Sequence, residues 1–242
     1  MTSDKHAARV AGLLYLLLAI TGAFSIMYIP SAFVVPGNAT ATASKIAASE
    51  QLYRIGVVSD LVSQIIFVFL VVALYQLLKA VNGKLALLMM VLALVSVPMS
   101  FLNMLNQIAP LILLGGADFL SVFEKHQLDA LAMVFLRLRS QGMVAVSAYW
   151  GLWLFPFGIL VFKSGFLPRV LGVLLVVAGL AYLTSSLTSL LFPPYGRAIS
   201  QLMLVLEAGE LPIIFWLLIK GVRAQPLESR ASQSDYQVGG DA

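Results

Sequence analysis

The sequence predicts an all-α integral membrane protein with six transmembrane helices. Of its 242 residues, 60% are hydrophobic and only 11% are charged, whereas soluble domains carry about 25% charged residues. The mean hydropathy is +0.96, and the few charges lie between apolar runs. A helix needs about 17–25 apolar residues to cross a bilayer, and each of these runs is long enough.

The six apolar runs define the predicted spans in chain order. The first run is longer than the apolar core of a signal peptide, which has about 7–15 residues, so we expect it to remain as a helix. Pro98 and Pro110 fall inside the third run, where proline is expected to kink a helix. The predicted spans are 10–28, 54–78, 85–114, 143–162, 170–192 and 199–220.

The segments between the spans are predicted to be loops and short turns. Segment 30–51 reads as a loop, 117–129 as a polar loop, and 128–139 as an amphipathic lead-in to the fourth span. Residues 1–223 are predicted to form a single transmembrane domain. Residues 224–242 are rich in Ser, Gln and Gly and are predicted to be a disordered cytoplasmic tail.

The distribution of Lys and Arg predicts which side of the membrane holds the termini. Six spans place both termini on one side, and the positively charged short loops are expected to be cytoplasmic. We therefore expect both termini in the cytoplasm and a multi-pass protein in the cell (inner) membrane. The terminal side collects Lys5, Arg9, Lys79, Lys84, Lys163, Arg169, Lys220, Arg223 and Arg230, and the other side has Lys45, Arg54, Lys125, Arg137, Arg139 and Arg197.

Four stretches together resemble a known membrane family. They are RVAGLLY at 9–15, KSGFLPRVLGV at 163–173, ELP at 210–212 and WLLIKGV at 216–222. This pattern is similar to the bacterial family known as domain of unknown function 4386 (DUF4386), over nearly the whole chain short of the C-terminal tail. The resemblance implies a six-span bacterial protein. It implies no activity, and it brings no catalytic residues.

Polar residues inside the spans form a candidate binding layer. With a rise of about 1.5 Å per residue, the predicted orientation places them in the outer half of the membrane, while the inner half is almost purely apolar. Their spacings of three and four residues put each set on one helix face. The candidate ligand-binding residues are Asp60, Gln64, Asn103, Asn106, Gln107, Arg137, Arg139, Ser185, Glu207 and Glu210.

Glu207 and Glu210 are the most unusual members of this layer. A charged residue at the centre of a membrane helix costs about 2.5–3.5 kcal/mol on insertion scales. Gly209 weakens the same turn, and Pro212 has no N–H for the carbonyl of Ala208. We expect both glutamates to face the bundle interior together with Asp60. Arg137 or Arg139 is the predicted counter-charge, with Arg54 as a second candidate.

Three functional readings remain open at this point. In the first reading, the layer lines an outward-facing cavity that binds or moves a small ligand, lipid head group or cation. The alternative is a structural or assembly protein with a sealed polar network. The third reading is an intramembrane enzyme that uses Glu207 and Glu210 as acid and base.

The usual enzyme motifs do not support the third reading. The chain has no cysteine, its two histidines (His6 and His126) lie outside the predicted spans, and H-E-x-x-H, G-x-S-x-G and Walker A motifs are absent from the sequence. We expect no cofactor, no metal and no catalytic residue. The basic residues form no stripe with interleaved aromatics, so we expect the lipid bilayer and a small ligand or lipid as partners, and no nucleic acid.

Overall fold

The computed structural model describes residues 2–222, and within that range the chain is helical and contains no strand. Six helical segments are long and apolar enough to cross a membrane, with mean hydropathies of 1.7 to 2.5. The all-α, multi-pass architecture predicted from the sequence is therefore confirmed. The predicted tail at 224–242 lies outside the described residues.

The helices are labelled in chain order. Helix α1 (Thr2–Ala23) continues through a π-helical turn, Phe24–Tyr28, into α2 (Ile29–Phe33). A 3-10 turn, Ala208–Glu210, joins α8 (Pro193–Glu207) to α9 (Leu211–Phe215). A second π-helical turn, Trp216–Lys220, ends the last span. The bounds are α1 Thr2–Ala23, α2 Ile29–Phe33, α3 Ala39–Ala48, α4 Glu50–Leu78, α5 Gly83–Leu114, α6 Lys125–Lys163, α7 Arg169–Leu191, α8 Pro193–Glu207 and α9 Leu211–Phe215.

Helix α3 corrects the prediction that segment 30–51 is a loop. The Asn38 side chain caps this helix, because its Oδ1 accepts a hydrogen bond of 2.9 Å from the backbone N–H of Ala41. Thr42, Ala43 and Ile46 form its buried face. Only Ile46 among them is a large apolar residue, so the helix lacks the strong hydrophobic pattern by which sequence reasoning finds helices.

Helix α6 corrects the predicted division at 117–142. It begins at Lys125, after a capping box made by Glu124 and Gln127, and continues unbroken to Lys163. The predicted lead-in and fourth span are thus one helix. Helix α8 begins at Pro193, because proline is well suited to the first turn of a helix. The sixth apolar span is Ala198–Lys220, which agrees with its predicted start near 199. Helix α5 remains a single α-helix across Pro98 and Pro110.

Helices α6 and α7 pack through two pairs of glycines. Gly151 and Gly158 are seven residues apart on α6, and Gly172 and Gly179 have the same spacing on α7. A Cβ atom at Gly158 would lie 2.7 Å from the carbonyl oxygen of Gly172, and one at Gly151 would lie 2.8 Å from that of Gly179. Small residues allow membrane helices to approach this closely, so these pairs set the antiparallel α6–α7 contact.

The apolar core occupies the half of the bundle near the N terminus. Its fully buried members include Ala11, Leu74, Met89, Leu160 and Leu175. We call the opposite end, away from Lys5 and Gly221, the distal end. A smaller apolar cluster lies there, made of Ile29, Phe33, Ile46 and Tyr53. On α4, Asp60 and Gln64 lie between Tyr53 of this distal cluster and Phe67 of the main core, which places buried polar residues between the two apolar regions.

Candidate functional site

Arg139 on α6 is the centre of a buried polar network in the distal half. Its Nε donates to Gln107 Oε1 at 2.9 Å, and its Nη2 donates to Asp60 Oδ2 at 3.2 Å. Both members of the Arg139–Asp60 ion pair have side chains that are 7% exposed. The ion pair joins α6 to α4 and removes the cost of an isolated buried charge, and the bond to Gln107 joins α6 to α5.

A backbone carbonyl in the first span provides the third partner of Arg139. Nη2 also donates to the carbonyl oxygen of Ser25 at 3.4 Å. Ser25 lies in the π-helical turn, where the N–H of Ile29 bonds to the carbonyl of Phe24, five residues back. The matching donor for Ser25 would be Pro30, which has no N–H. The proline therefore leaves a carbonyl available, and the arginine satisfies it.

Further hydrogen bonds hold these groups in place. Asn103 Nδ2 donates to the carbonyl of Arg139 at 3.0 Å, and Asn106 Nδ2 donates to Asn103 Oδ1 at 3.1 Å. The Tyr53 hydroxyl donates to the carbonyl of Gln107 at 2.8 Å. We call this set the arginine network: Ser25, Tyr53, Asp60, Asn103, Asn106, Gln107 and Arg139.

The remaining candidates near this network have different surroundings. Gln64 is buried one turn beyond Asp60, and its Oε1 has no hydrogen-bond partner among the described residues. Arg137 is exposed. Arg54 pairs instead with Glu50 at 2.7 Å, so the expectation that it serves as a counter-charge for the buried carboxylates is wrong. Asp60 is the carboxylate that Arg139 neutralises.

Glu210 lies in a second polar group, deeper in the bundle. The Tyr15 hydroxyl of α1 donates to Glu210 Oε2 at 2.6 Å, and the Tyr182 hydroxyl of α7 is a further hydrogen-bonding partner of this carboxyl group. Tyr15 and Ser25 are ten residues apart on the first span, which corresponds to about 15 Å of helix rise. The two polar groups therefore lie at different depths.

Glu207 lies one turn before Glu210, beside Ser185. Its carboxyl group is hydrogen-bonded to the Ser185 side chain, and the residue is half-buried. The intervening 3-10 turn lets the N–H of Leu211 bond to the carbonyl of Ala208. That carbonyl is the one for which Pro212 provides no donor, so the helix tightens here instead of unwinding.

The structure thus divides the predicted polar layer into two groups. Among the ion pairs of residues 2–222, none joins Glu207 or Glu210 to Arg137 or Arg139. The prediction that these arginines neutralise all three carboxylates is therefore wrong for the glutamates. In the described part of the chain, no group of three or more His, Cys, Asp or Glu residues is arranged to hold a metal ion.

Two adjacent cavities lie beside these groups at the distal end. The distal cavity has a volume of about 600 Å³ and is lined by Tyr53, Gln107, Arg137 and Arg139, among others. The second has a volume of about 670 Å³, and its lining includes Glu207. We call it the serine cavity, because its walls carry Ser140, Ser147, Ser185, Ser186, Ser189 and Ser200.

The cavities meet at Ile26, Ser140 and Met143, which line both. Of the ten predicted site residues, Gln107, Arg137 and Arg139 line the distal cavity, and Ser185 and Glu207 line the serine cavity. The linings of these two cavities do not include the other five, which are Asp60, Gln64, Asn103, Asn106 and Glu210.

Sequence reasoning assigned no role to several residues that complete the two groups. Tyr15 and Tyr53 act through their hydroxyls, and Ser25 acts through its backbone carbonyl. Asp129 is also buried, and it pairs with Lys125 at 3.2 Å. A tyrosine inside an apolar span is itself a signal, since its hydroxyl needs a partner there. A backbone carbonyl gives no such signal.

Six apolar spans around buried polar groups define a multi-pass integral membrane protein. A model of the family described as "Domain of unknown function (DUF4386)" matches residues 10–221, and the chain belongs to that family. It is also 38% identical over 73 residues to an uncharacterized protein of Archaeoglobus fulgidus. That match covers 30% of this chain and 42% of the archaeal protein. No solved structure matches the chain.

Proposed function

We propose that this protein binds or moves a small ligand, lipid head group or cation through the cavities at its distal end. In this proposal the protein lies in the cell (inner) membrane with both termini in the cytoplasm, so the distal end faces outward. The observation that carries the proposal is the position of Glu207. Its carboxyl group lines the serine cavity and has no ion-pair partner among the residues that the structure describes.

A charged group at membrane depth is tolerated only where its surroundings offset the cost of burying it. Ionisable groups inside membranes are costly and usually face a partner or water, and they often mark a ligand path. Asp60 has such a partner in Arg139. Glu207 has a serine hydroxyl and an adjoining cavity. A cavity of about 670 Å³ lies within the range of about 300–1,000 Å³ that is typical of small-molecule sites.

A structural role is the second candidate, and the arginine network favours it. Arg139 makes three hydrogen bonds from two nitrogen atoms, to partners on three other segments of the chain. Hydrogen bonds between helices hold membrane bundles together. We assign this structural role to the arginine network and the ligand-binding role to the serine cavity.

Cysteine accessibility tests the proposal, because the chain has no native cysteine. Single-cysteine variants Glu207→Cys, Leu175→Cys and Val122→Cys would be expressed in cells and treated with a membrane-impermeant thiol reagent. Leu175 is fully buried in the core, and Val122 is 80% exposed in the segment between α5 and α6. Val122→Cys therefore reports which side of the membrane the distal end faces.

We expect labelling of Glu207→Cys and Val122→Cys in intact cells and no labelling of Leu175→Cys. Labelling of Val122→Cys alone would mean that water does not reach the serine cavity, and the proposal would fail. If Glu207→Cys and Val122→Cys are labelled only after the membrane is opened, water reaches the cavity but the distal end faces the cytoplasm, opposite to the proposed orientation.

A further inference from the structure

The serine cavity has a defined charge, and this charge limits the chemistry of its ligand. Among the described residues of its lining, Glu207 is the only one that carries a carboxylate, and none of them is a lysine, arginine or histidine. The remaining polar groups are chiefly hydroxyls and the amides of Gln141 and Gln201. A cavity whose described lining has one carboxylate and no cationic side chain favours a positively charged ligand over an anion.

Aromatic side chains form part of the same wall. Trp150 and Tyr182 line the cavity, and their ring centroids are 6.3 Å apart at an interplanar angle of 80°. The faces of Trp and Tyr attract organic cations, and such aromatic walls are used to recognise quaternary ammonium groups. Aliphatic side chains such as Leu204 also line it. Small metal cations prefer a shell of several oxygen ligands, including charged ones, so this wall fits an organic cation better.

The hydroxyl lining supplies neutral hydrogen-bonding groups around the carboxylate. Ser185 bonds to the Glu207 carboxyl group, and the Ser147 and Ser186 hydroxyls are 2.8 Å apart, within hydrogen-bonding distance across α6 and α7. These groups can accept from an ammonium N–H or bind water around a methylated ammonium, because a hydroxyl both donates and accepts.

We propose that the serine cavity binds an organic ammonium group, with Glu207 as its counter-ion and Trp150 and Tyr182 as its aromatic wall. The inference rests on the proposed function and names the class of ligand for the same site. The ammonium group can belong to a free amine or to the head group of an ethanolamine lipid. The adjoining distal cavity is lined by Arg137 and Arg139, so the phosphate of such a lipid would have a cationic side chain next to it.

The test compares charged ligands with uncharged ligands of the same shape. Full-length protein in nanodiscs of phosphatidylglycerol would be titrated with choline and, separately, with 3,3-dimethylbutan-1-ol, in which carbon replaces the ammonium nitrogen. Ethanolamine and propan-1-ol form a second pair. The shift in thermal unfolding midpoint against ligand concentration gives an apparent Kd, because a ligand that binds only the folded state stabilises it. This comparison needs no variant.

Glu207→Gln and Glu50→Gln test the assigned counter-ion. Both remove one carboxylate, but Glu50 is an exposed residue at the start of α4 that pairs with Arg54. We expect Glu207→Gln to weaken binding of an ammonium ligand by about tenfold or more, as loss of a charge-assisted contact does. Glu50→Gln should leave the apparent Kd unchanged, and neither variant should alter binding of the uncharged alcohols.

Lipid composition separates the two sources of the ammonium group. If a lipid head group is the ligand, the apparent Kd of the free amine should rise severalfold in phosphatidylethanolamine nanodiscs, because the lipid competes for the cavity. If a free amine is the ligand, the lipid should make no difference. Either result agrees with the proposal.

Equal shifts with amine and alcohol, no shift with either amine, or full binding to Glu207→Gln would overturn the proposal. These failures can be told apart from failure of the proposed function. If Glu207→Cys is labelled in cells but no ammonium ligand binds, the cavity is open and only the ligand class is wrong.

Discussion

At the scale of single residues, the geometry of Arg139 explains why an arginine occupies this position. Its Nε and Nη2 atoms donate to Gln107, Asp60 and the carbonyl of Ser25. The planar guanidinium holds these donors in fixed directions, whereas a lysine offers one compact ammonium group. The Ser25 carbonyl is available because Pro30, five residues later, has no N–H to donate to it. The arginine therefore satisfies both a buried charge and a backbone group.

The first prediction distinguishes the two arginines of α6. Arg139→Gln should lower the free energy of unfolding by about 3 kcal/mol, because it leaves Asp60 buried without its counter-charge. Arg137→Gln removes the same charge from an exposed residue and should change stability by no more than about 0.5 kcal/mol. The thermal unfolding midpoints of both variants, measured in one detergent, check this. Adding Asp60→Asn to Arg139→Gln should recover part of the loss. Equal effects of the two arginine substitutions would contradict the assignment.

The second prediction concerns the hydroxyl of Tyr15. Tyr15→Phe removes its 2.6 Å hydrogen bond to Glu210 and should destabilise the protein by about 1–2 kcal/mol, because the partly buried carboxyl group loses a partner. Tyr75→Phe removes the same hydroxyl from α4 and is the matched control. If both variants unfold at the wild-type midpoint, the Tyr15–Glu210 bond contributes nothing to stability.

At the scale of helices, the long spans were predictable and the short helices were not. Apolar runs long enough to cross a membrane can be recognised from composition alone. The six predicted spans therefore agree with the six long apolar helical segments of the structure. Helix α3 is made of small residues and has only one buried large apolar side chain, Ile46. The first half of α6 mixes polar and apolar residues, so hydropathy placed the start of the span too late.

The third prediction tests the glycine pairs that join α6 and α7. Gly158→Ala places a methyl group against the backbone of Gly172, whereas Gly22→Ala places one where no atom lies within 4 Å. We expect Gly158→Ala to lower the unfolding midpoint, because the two backbones must separate. Gly22→Ala should leave it unchanged or raise it slightly, because alanine favours the helix by about 1 kcal/mol over glycine. Equal midpoints for the two variants would mean that the helices do not approach as closely as described.

At the scale of the whole molecule, sequence spacing predicted depth and helix face but not which helices are neighbours. Asp60 and Gln64 share a face, as do Asn103 and Gln107, and these pairs are buried as expected. The pairing of Asp60 with Arg139, and of Glu210 with Tyr15, depends on how the helices are arranged around the bundle axis. A single sequence, without comparison to related sequences, gives no such information, so the polar layer was predicted as one site instead of two.

The proposed function depends on the separation of the polar residues into two groups. The arginine network is paired, buried and largely saturated with hydrogen bonds, as a structural element should be. Glu207 lines a cavity and has no ion pair among the side chains that the structure describes. Residues that serve binding often lower the stability of a protein, whereas structural residues raise it. The two carboxylates should therefore respond in opposite ways when they are neutralised.

The most direct measurement is the thermal unfolding midpoint of Asp60→Asn beside that of Glu207→Gln, in the same detergent and at the same pH. We expect Asp60→Asn to lower the midpoint by about 6–12 °C, since it costs about 3 kcal/mol in a protein of this size. Glu207→Gln should leave the midpoint unchanged or raise it, because it removes an uncompensated carboxylate from membrane depth. A loss of stability in Glu207→Gln as large as that in Asp60→Asn would show that Glu207 is structural, and the serine cavity would lose its role as the ligand site.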